Sequence, residues 1–177
     1  LAFLCIWKPL NYIEDQVHPG RDMANKKIVA VIFGGRSVEH DVSVLTGLQF
    51  LEALNPLKYA GLAIYVDPLG NWWTGNALID RNNYPINAET FTKMKRLELD
   101  LSAAASGQPK FLYREKTFFG EKVQELPFDI AVPAIHGSNG EDGTLQGLLD
   151  FANIPYTGCR VAAAAITMDK VAAKAWA

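Results

Sequence analysis

Residues 27–33, Lys-Ile-Val-Ala-Val-Ile-Phe, closed by Gly34-Gly35, constrain this chain more than any other stretch in it. A run of β-branched and apolar residues without polar alternation reads as a strand buried on both faces, the pattern of a parallel sheet. Behind the glycine turn, Val44, Leu45, Leu48 and Leu51 recur at helical offsets until Asn55-Pro56. That pair stops the helix, because the residue before a proline is pushed out of the α region. Residues 59–66, YAGLAIYV, supply a second strand. Strand, glycine turn, helix and strand make a βαβ unit with a right-handed crossover, and ligands gather at the carboxyl ends of such strands. The expected fold class is therefore α/β, a Rossmann-like parallel sheet with flanking helices.

The rest of the chain extends that frame. Residues 67–75, DPLGNWWTG, read as a turn and a short strand, with Trp72 and Trp73 buried against the sheet rather than forming a stacking platform. Residues 76–109 are polar and poorly periodic, and read as an excursion with a short helix near 88–98. Alternation over 110–124 predicts a hairpin. A further strand is predicted over 128–135 and a helix over 143–152. A short IPYTG strand and turn and an alanine-rich helical run to the end follow.

Size and charge bound the function. The chain has 177 residues with 17 basic and 19 acidic side chains, a formal net charge of -2, and 49% hydrophobic residues. This composition supports one medium domain with a core, and argues against wholesale disorder and against an electrostatically driven nucleic-acid partner. Cys5 and Cys159 lie at opposite ends of the chain, so neither a disulfide scaffold nor a cysteine zinc site is expected, and a reducing cytoplasm fits. Charges interrupt every apolar stretch before the roughly 20 residues a membrane span needs. The first Met is residue 23. Residues 1–22 precede that Met and show neither helical nor strand periodicity, so they are expected to be an extension outside the fold. LAFLCIW is not read as a signal peptide, because it lacks a basic lead and a cleavage site. The alanine-rich run reaches Ala177 without a glycine cap, the look of a truncated helix.

Three clusters carry chemistry. The first, GGRSVEHDVS over 34–43, sits where the first strand hands over to the first helix. Its glycines allow a sharp turn, and the helix end behind it favours anions. It matches neither the dinucleotide spacing G-x-G-x-x-G nor the P-loop. Ser37 or Asp41 could cap the helix, and Glu39 could steady the helix start or hold an ammonium group. The second cluster, IHGSNGEDGTLQG over 135–147, leaves another strand end, with His136 at the exit. Glu141 and Asp142 are expected to include the cap of the next helix and to brace the loop. Its HG-x-x-G string is like an esterase oxyanion loop, yet no G-x-S-x-G elbow accompanies it, so serine hydrolysis is unsupported. The third is TMDKVAAK over 167–174, where Lys170 and Lys174 could be solvated helix residues.

Taken together, GGRSVEHDVS, HGSNGEDGTLQG, IPYTG and TMDK, in this order, resemble the amino-terminal part of D-alanine-D-alanine ligases from about Lys26 to Ala177. The resemblance implies an amino-terminal α/β substrate domain over 23–158 and the truncated opening of an ATP-grasp domain over 159–177. It implies an ATP-dependent, magnesium-requiring ligase, cytoplasmic and homodimeric. Such an enzyme joins two D-alanines for peptidoglycan through an acyl phosphate. By the same resemblance Glu39 would hold the ammonium of the first D-alanine and His136 would position it. Both count as catalytic, with Ser37 and Gly137 beside them in the substrate site, while Lys170 would meet the ATP phosphates. The metal ligands, the remaining nucleotide strands and the loop that selects the second substrate are not in this sequence, so the chain alone is expected to be inactive. Two other readings stay open: a stand-alone α/β module that binds an amino acid or organises a dimer, and a fragment of a D-alanine-D-lactate or D-alanine-D-serine ligase.

Overall fold

The computed structural model describes residues 26–102, 107–118 and 120–176. The extension expected over 1–22 lies outside them. In chain order the elements are β1 (Lys27–Gly34), α1 (His40–Ala53), β2 (Tyr59–Val66) and β3 (Trp72–Thr74), then two 3₁₀ turns, Asn76–Ile79 and Arg81–Asn83. There follow α2 (Ala88–Thr92), β4 (Lys95–Leu99), β5 (Lys110–Thr117), β6 (Gly120–Pro127), β7 (Ile130–Pro133), α3 (Thr144–Phe151), α4 (Val161–Met168) and α5 (Lys170–Trp176). The described strands form one seven-stranded sheet in the order β6-β5-β4-β3-β2-β1-β7.

β1 lies between two parallel partners, β2 and β7. Its residues from Val29 to Phe33 are buried, as the unbroken apolar run requires. Position in the sheet also explains Gly34: its φ is +88, and a Cβ there would run into the carbonyl oxygen of Val66, so only glycine lets β1 end so close to β2. On α1 the inward residues are Ser43, Val44, Gly47 and Leu51, whereas Leu45 is 38% exposed. The helix thus approaches the sheet through a glycine rather than through the leucine ridge, with Phe33 filling the space beneath Gly47.

The parallel order expected for the whole sheet holds for β2-β1-β7 only. β3 to β6 extend it as an antiparallel arm. The reason is connection length: five residues separate β2 from β3, and a parallel crossover needs about a dozen. The helix expected near 88–98 is also shorter. α2 stops at Thr92, and Lys95-Arg-Leu-Glu-Leu99 alternates with period two, burying Leu97 between β3 and β5 as strand β4. The predicted hairpin is present as β5 and β6. The strand expected over 128–135 narrows to β7, although Asp129 and Ala134 continue backbone bonding to β1 on either side. IPYTG contributes a parallel bridge, Ala131 to Tyr156, on the outer side of β7.

The tryptophans pack as expected. Trp73 meets Phe91 edge-on at 4.9 Å and Trp72 leans on Phe111 at 5.7 Å. Trp73 also donates its indole N–H to Asp67, which accepts as well from the backbone of Leu69 and Asn71 and from the Asn71 amide. Burial pushes the Asp67 carboxyl up, but these hydrogen bonds outweigh it and hold the group below its ordinary value. Cys159 is a free, exposed thiol. No described helix is long and apolar enough to cross a membrane.

Candidate functional site

β1 and β7 run parallel and in register, Ile32 opposite Pro133, so the loops that follow them leave the same edge of the sheet. That geometry brings the first two motifs together. Ser37 Oγ donates to the backbone oxygen of His136 at 2.6 Å and accepts from the backbone N–H of Glu39 at 3.2 Å. One turn into α1, Ser43 Oγ donates to the Glu39 carbonyl at 3.1 Å and accepts from the His136 backbone N–H at 2.8 Å. Two serines therefore stitch the loops together from both sides. Gly137, at φ +72, faces this seam: a Cβ there would lie 3.2 Å from Ser37 Cβ and 3.4 Å from Glu39 Oε2. The absence of a side chain at Gly137 keeps the space beside the Glu39 carboxylate open.

Glu39 stands at the cap position of α1 but makes no side-chain capping bond, so its carboxylate is not spent on the helix start. It is exposed, while His136 beside it is half-buried. Thr46 Oγ1 hydrogen-bonds His136 Nε2 at 2.9 Å, which leaves Nδ1 facing Glu141 Oε1 at 3.8 Å. Glu141 also accepts the backbone N–H of Gly137 at 2.8 Å. Asp142 accepts from Asn139 and Thr144 and is held below its ordinary value, burial being outweighed by those backbone donors. The bracing expected of Glu141 and Asp142 is thus present, but the cap position of α3 belongs to Gly143, which adopts the left-handed conformation. On the other side of the loop, His40 Nδ1 donates to the Gly35 carbonyl at 2.7 Å. Its Nε2 then accepts from the Tyr65 hydroxyl, because a carbonyl can only accept. Burial, with the charges of Asp67 and Asp41, pushes that phenol up to about 12, so it remains a donor.

The corner so built carries two carboxylates and an imidazole at the amino end of α1. Glu39, His136 and Glu141 each place one ligand atom within 4.8 Å of the others. A cation is the natural guest of such a set, and an ammonium group matches the exposed carboxylates. The donor set does not suit magnesium, which prefers oxygen ligands alone. Lys170 is not brought to this corner. It opens α5, exposed, behind Asp169, whose carboxylate accepts from the backbone of Val171 and Ala172. Sequence reasoning placed Ser37, Glu39, His136 and Gly137 together but missed Thr46 and the bridging part of Ser43. Their one signal is spacing, since 43 and 46 share the inner face of α1.

A family model described as the D-ala D-ala ligase N-terminus matches residues 28–159. The chain belongs to that family. Over 149 residues it is 38% identical to the D-alanine–D-alanine ligase of Chlorobium phaeovibrioides, covering 82% of this chain and 38% of that protein. Over 146 residues it is 35% identical to the enzyme of the same name from Thermosipho melanesiensis, again covering 82% and 38%. Among solved structures, the D-alanine-D-alanine ligase of Coxiella burnetii matches with a TM-score of 0.71 and 27% identity over 85% of this chain and 40% of that one. A D-Ala:D-Ser ligase from Enterococcus faecalis matches with 0.67 and 28% over 84% and 40%. The α/β architecture is thus that of the ligase amino-terminal region, and the chain spans about two-fifths of the length of these relatives.

Proposed function

We propose that this chain is the first-substrate part of an ATP-dependent ligase that joins two D-alanines through an acyl phosphate for peptidoglycan. The observation that carries the reading is the convergence of Glu39 with the His136–Gly137 loop in a chain of the ligase family. Residues 23–158 form the substrate domain and 159–177 open the ATP-grasp domain. The Glu39 carboxylate takes the ammonium of the first D-alanine, at the amino end of α1. His136, held by Thr46 and by the Ser43 bond to its backbone, orients that substrate, and Ser37 and Gly137 shape the pocket around it. Lys170 is this chain's group for the ATP phosphates. ATP supplies the activation of the carboxylate when bound; magnesium belongs with ligands outside this chain, since the donors at the Glu39 corner do not suit it. Cytoplasmic location and a homodimeric parent complete the proposal.

That a D-Ala:D-Ser ligase matches this region about as well as a D-alanine-D-alanine ligase fits a region that serves the first substrate, which those two names have in common. In the full-length protein Glu39→Gln should raise the KM for D-alanine at the first site at least about tenfold, the loss of one charge-assisted bond, and leave the KM for ATP unchanged. Unchanged D-alanine kinetics would overturn the assignment. The 177-residue chain by itself, spanning 38% of its relatives, should release no phosphate from ATP with D-alanine.

A further inference from the structure

The strands of the sheet turn alternate residues to opposite faces. Phe33 and its partner Tyr65 face α1, so Val66 faces the other way. There, at the same strand edge, lies a cleft of about 390 Å³ walled by Val66, Trp72, Ile135, Leu145 and Leu148. Arg36 is part of its lining. The stem of Arg36 rests on the β2–β3 turn, where Gly70 has no side chain and a Cβ would sit 3.1 Å from Arg36 Cδ. Its guanidinium reaches Asn139 Oδ1 at 3.4 Å, a long contact, and among the described residues no carboxylate pairs with it. No acidic residue lines the cleft.

An apolar chamber of this size with a few convergent polar groups is the form of a small-molecule site. The one charged side chain in the lining is a cation, with Asn139 and Thr144 as its neutral polar companions. Arg36 offers a planar fork of donors, and Asn139, having turned its oxygen toward Arg36, offers its Nδ2 beside it. The rim therefore asks for an anion with a planar pair of acceptors, and the walls ask for an apolar body. A zwitterionic amino acid fits less well, because no carboxylate lines the cleft to pair with its ammonium. We infer that this cleft is a second ligand site, separate from the Glu39 corner, for an apolar monocarboxylate such as an aryl or branched-chain acid. Arg36 belongs to the loop of Ser37 and Glu39, and Asn139 to the loop of His136 and Glu141. A carboxylate held by both residues cross-links the two loops that build the Glu39 corner from behind. The inference rests on the cleft's lining and is independent of the ligase reading.

The test is a titration of the ¹⁵N-labelled 177-residue chain with benzoate, with isosteric but neutral benzamide as control. Benzoate should produce saturable shifts at the amides of Arg36, Gly70 and Asn139 and at the Trp72 indole N–H, and D-alanine should not compete. Arg36→Gln should weaken benzoate about tenfold, the value of one charge-assisted hydrogen bond, with an otherwise native spectrum. Should that variant not fold, Arg36→Lys, which keeps the charge without the fork, serves instead and should weaken benzoate about threefold. Equal binding of benzamide, an unaltered affinity in the folded Arg36 variant, or no saturable shift up to the solubility of benzoate would overturn the assignment.

Discussion

Replacing Gly47 by alanine should destabilise this chain even though alanine is the better helix former. At an unencumbered position inside a helix such as α1, the exchange stabilises by about 0.5–1 kcal/mol. Gly47 is not unencumbered. A Cβ built on it would lie 2.5 Å from Phe33 Cβ and 2.6 Å from Phe33 Cδ1, distances that real Cβ atoms do not adopt. Phe33 cannot yield, because it is fully buried in β1, which is paired on both sides, with the Tyr65 ring 6.0 Å from its own. The helix must therefore lift from the sheet, and overpacking of this kind costs about 1–3 kcal/mol. Taking the middle of each range, the net loss is about 1 kcal/mol, which for a chain of this size lowers the melting temperature by roughly 2–4 °C. Thermal and urea unfolding of the two chains measures it. The Phe33→Leu change, which trims the ring, should be partly compensated in the double variant, with a coupling of about 1 kcal/mol. A melting temperature equal to or above that of the parent chain would refute the contact argument, because propensity alone would then describe the site. The same displacement should reach the functional corner, since Ser43 and Thr46 ride on the same helix. The His136 ring resonances should shift in Gly47→Ala although the substitution lies away from the ring.

Two other outcomes follow from the hydrogen bonds. Ser43→Ala removes the fully buried hydroxyl between the Glu39 carbonyl and the His136 amide. It should cost about 1–3 kcal/mol in urea unfolding, because the His136 N–H loses its partner. Hydrogen exchange at the His136 amide should speed up, and unchanged protection there would sink the bridging role. Asp67 has its carboxyl held below the ordinary value, so its contribution to stability is complete above the unfolded value near 3.9. That contribution is lost as pH falls through the lower folded value. Acid unfolding followed by tryptophan fluorescence should show this loss below about pH 4, and Asp67→Asn should be less stable at neutral pH yet flatter on the acid side. An acid limb identical in both chains would contradict the hydrogen-bond account of the β2–β3 turn.

Much of this molecule was legible in its residues. The run from Lys27 to Phe33 reads as a buried strand, and Gly34-Gly35 as the glycines that close it. The helical offsets of Val44, Leu48 and Leu51 and the stop at Asn55-Pro56 follow from rules that act over a few residues. So do the hairpin of β5 and β6 and the two motifs that end β1 and β7. These signals are local, and local physics writes them into the order of side chains.

What the sequence could not decide is what depends on separations of tens of residues. Lys95–Leu99 carries too short an alternation to outweigh its polar neighbours, and it becomes a strand only because β3 and β5 offer an open ladder on either side. The closest approach of α1 falls at Gly47 and not at Leu45, because Phe33 already fills the space beneath. Thr46 matters to His136 only through the parallel pairing of β1 and β7, which sets two loops about a hundred residues apart side by side. The cleft behind Arg36 exists because β2, the β2–β3 turn and α3 meet there, and no one segment carries its pattern. The sequence by itself determined most of the strands and turns and the residues that bear charge at the strand ends. The tertiary structure alone decided which of those charges face one another, because that is set by register and packing across the sheet.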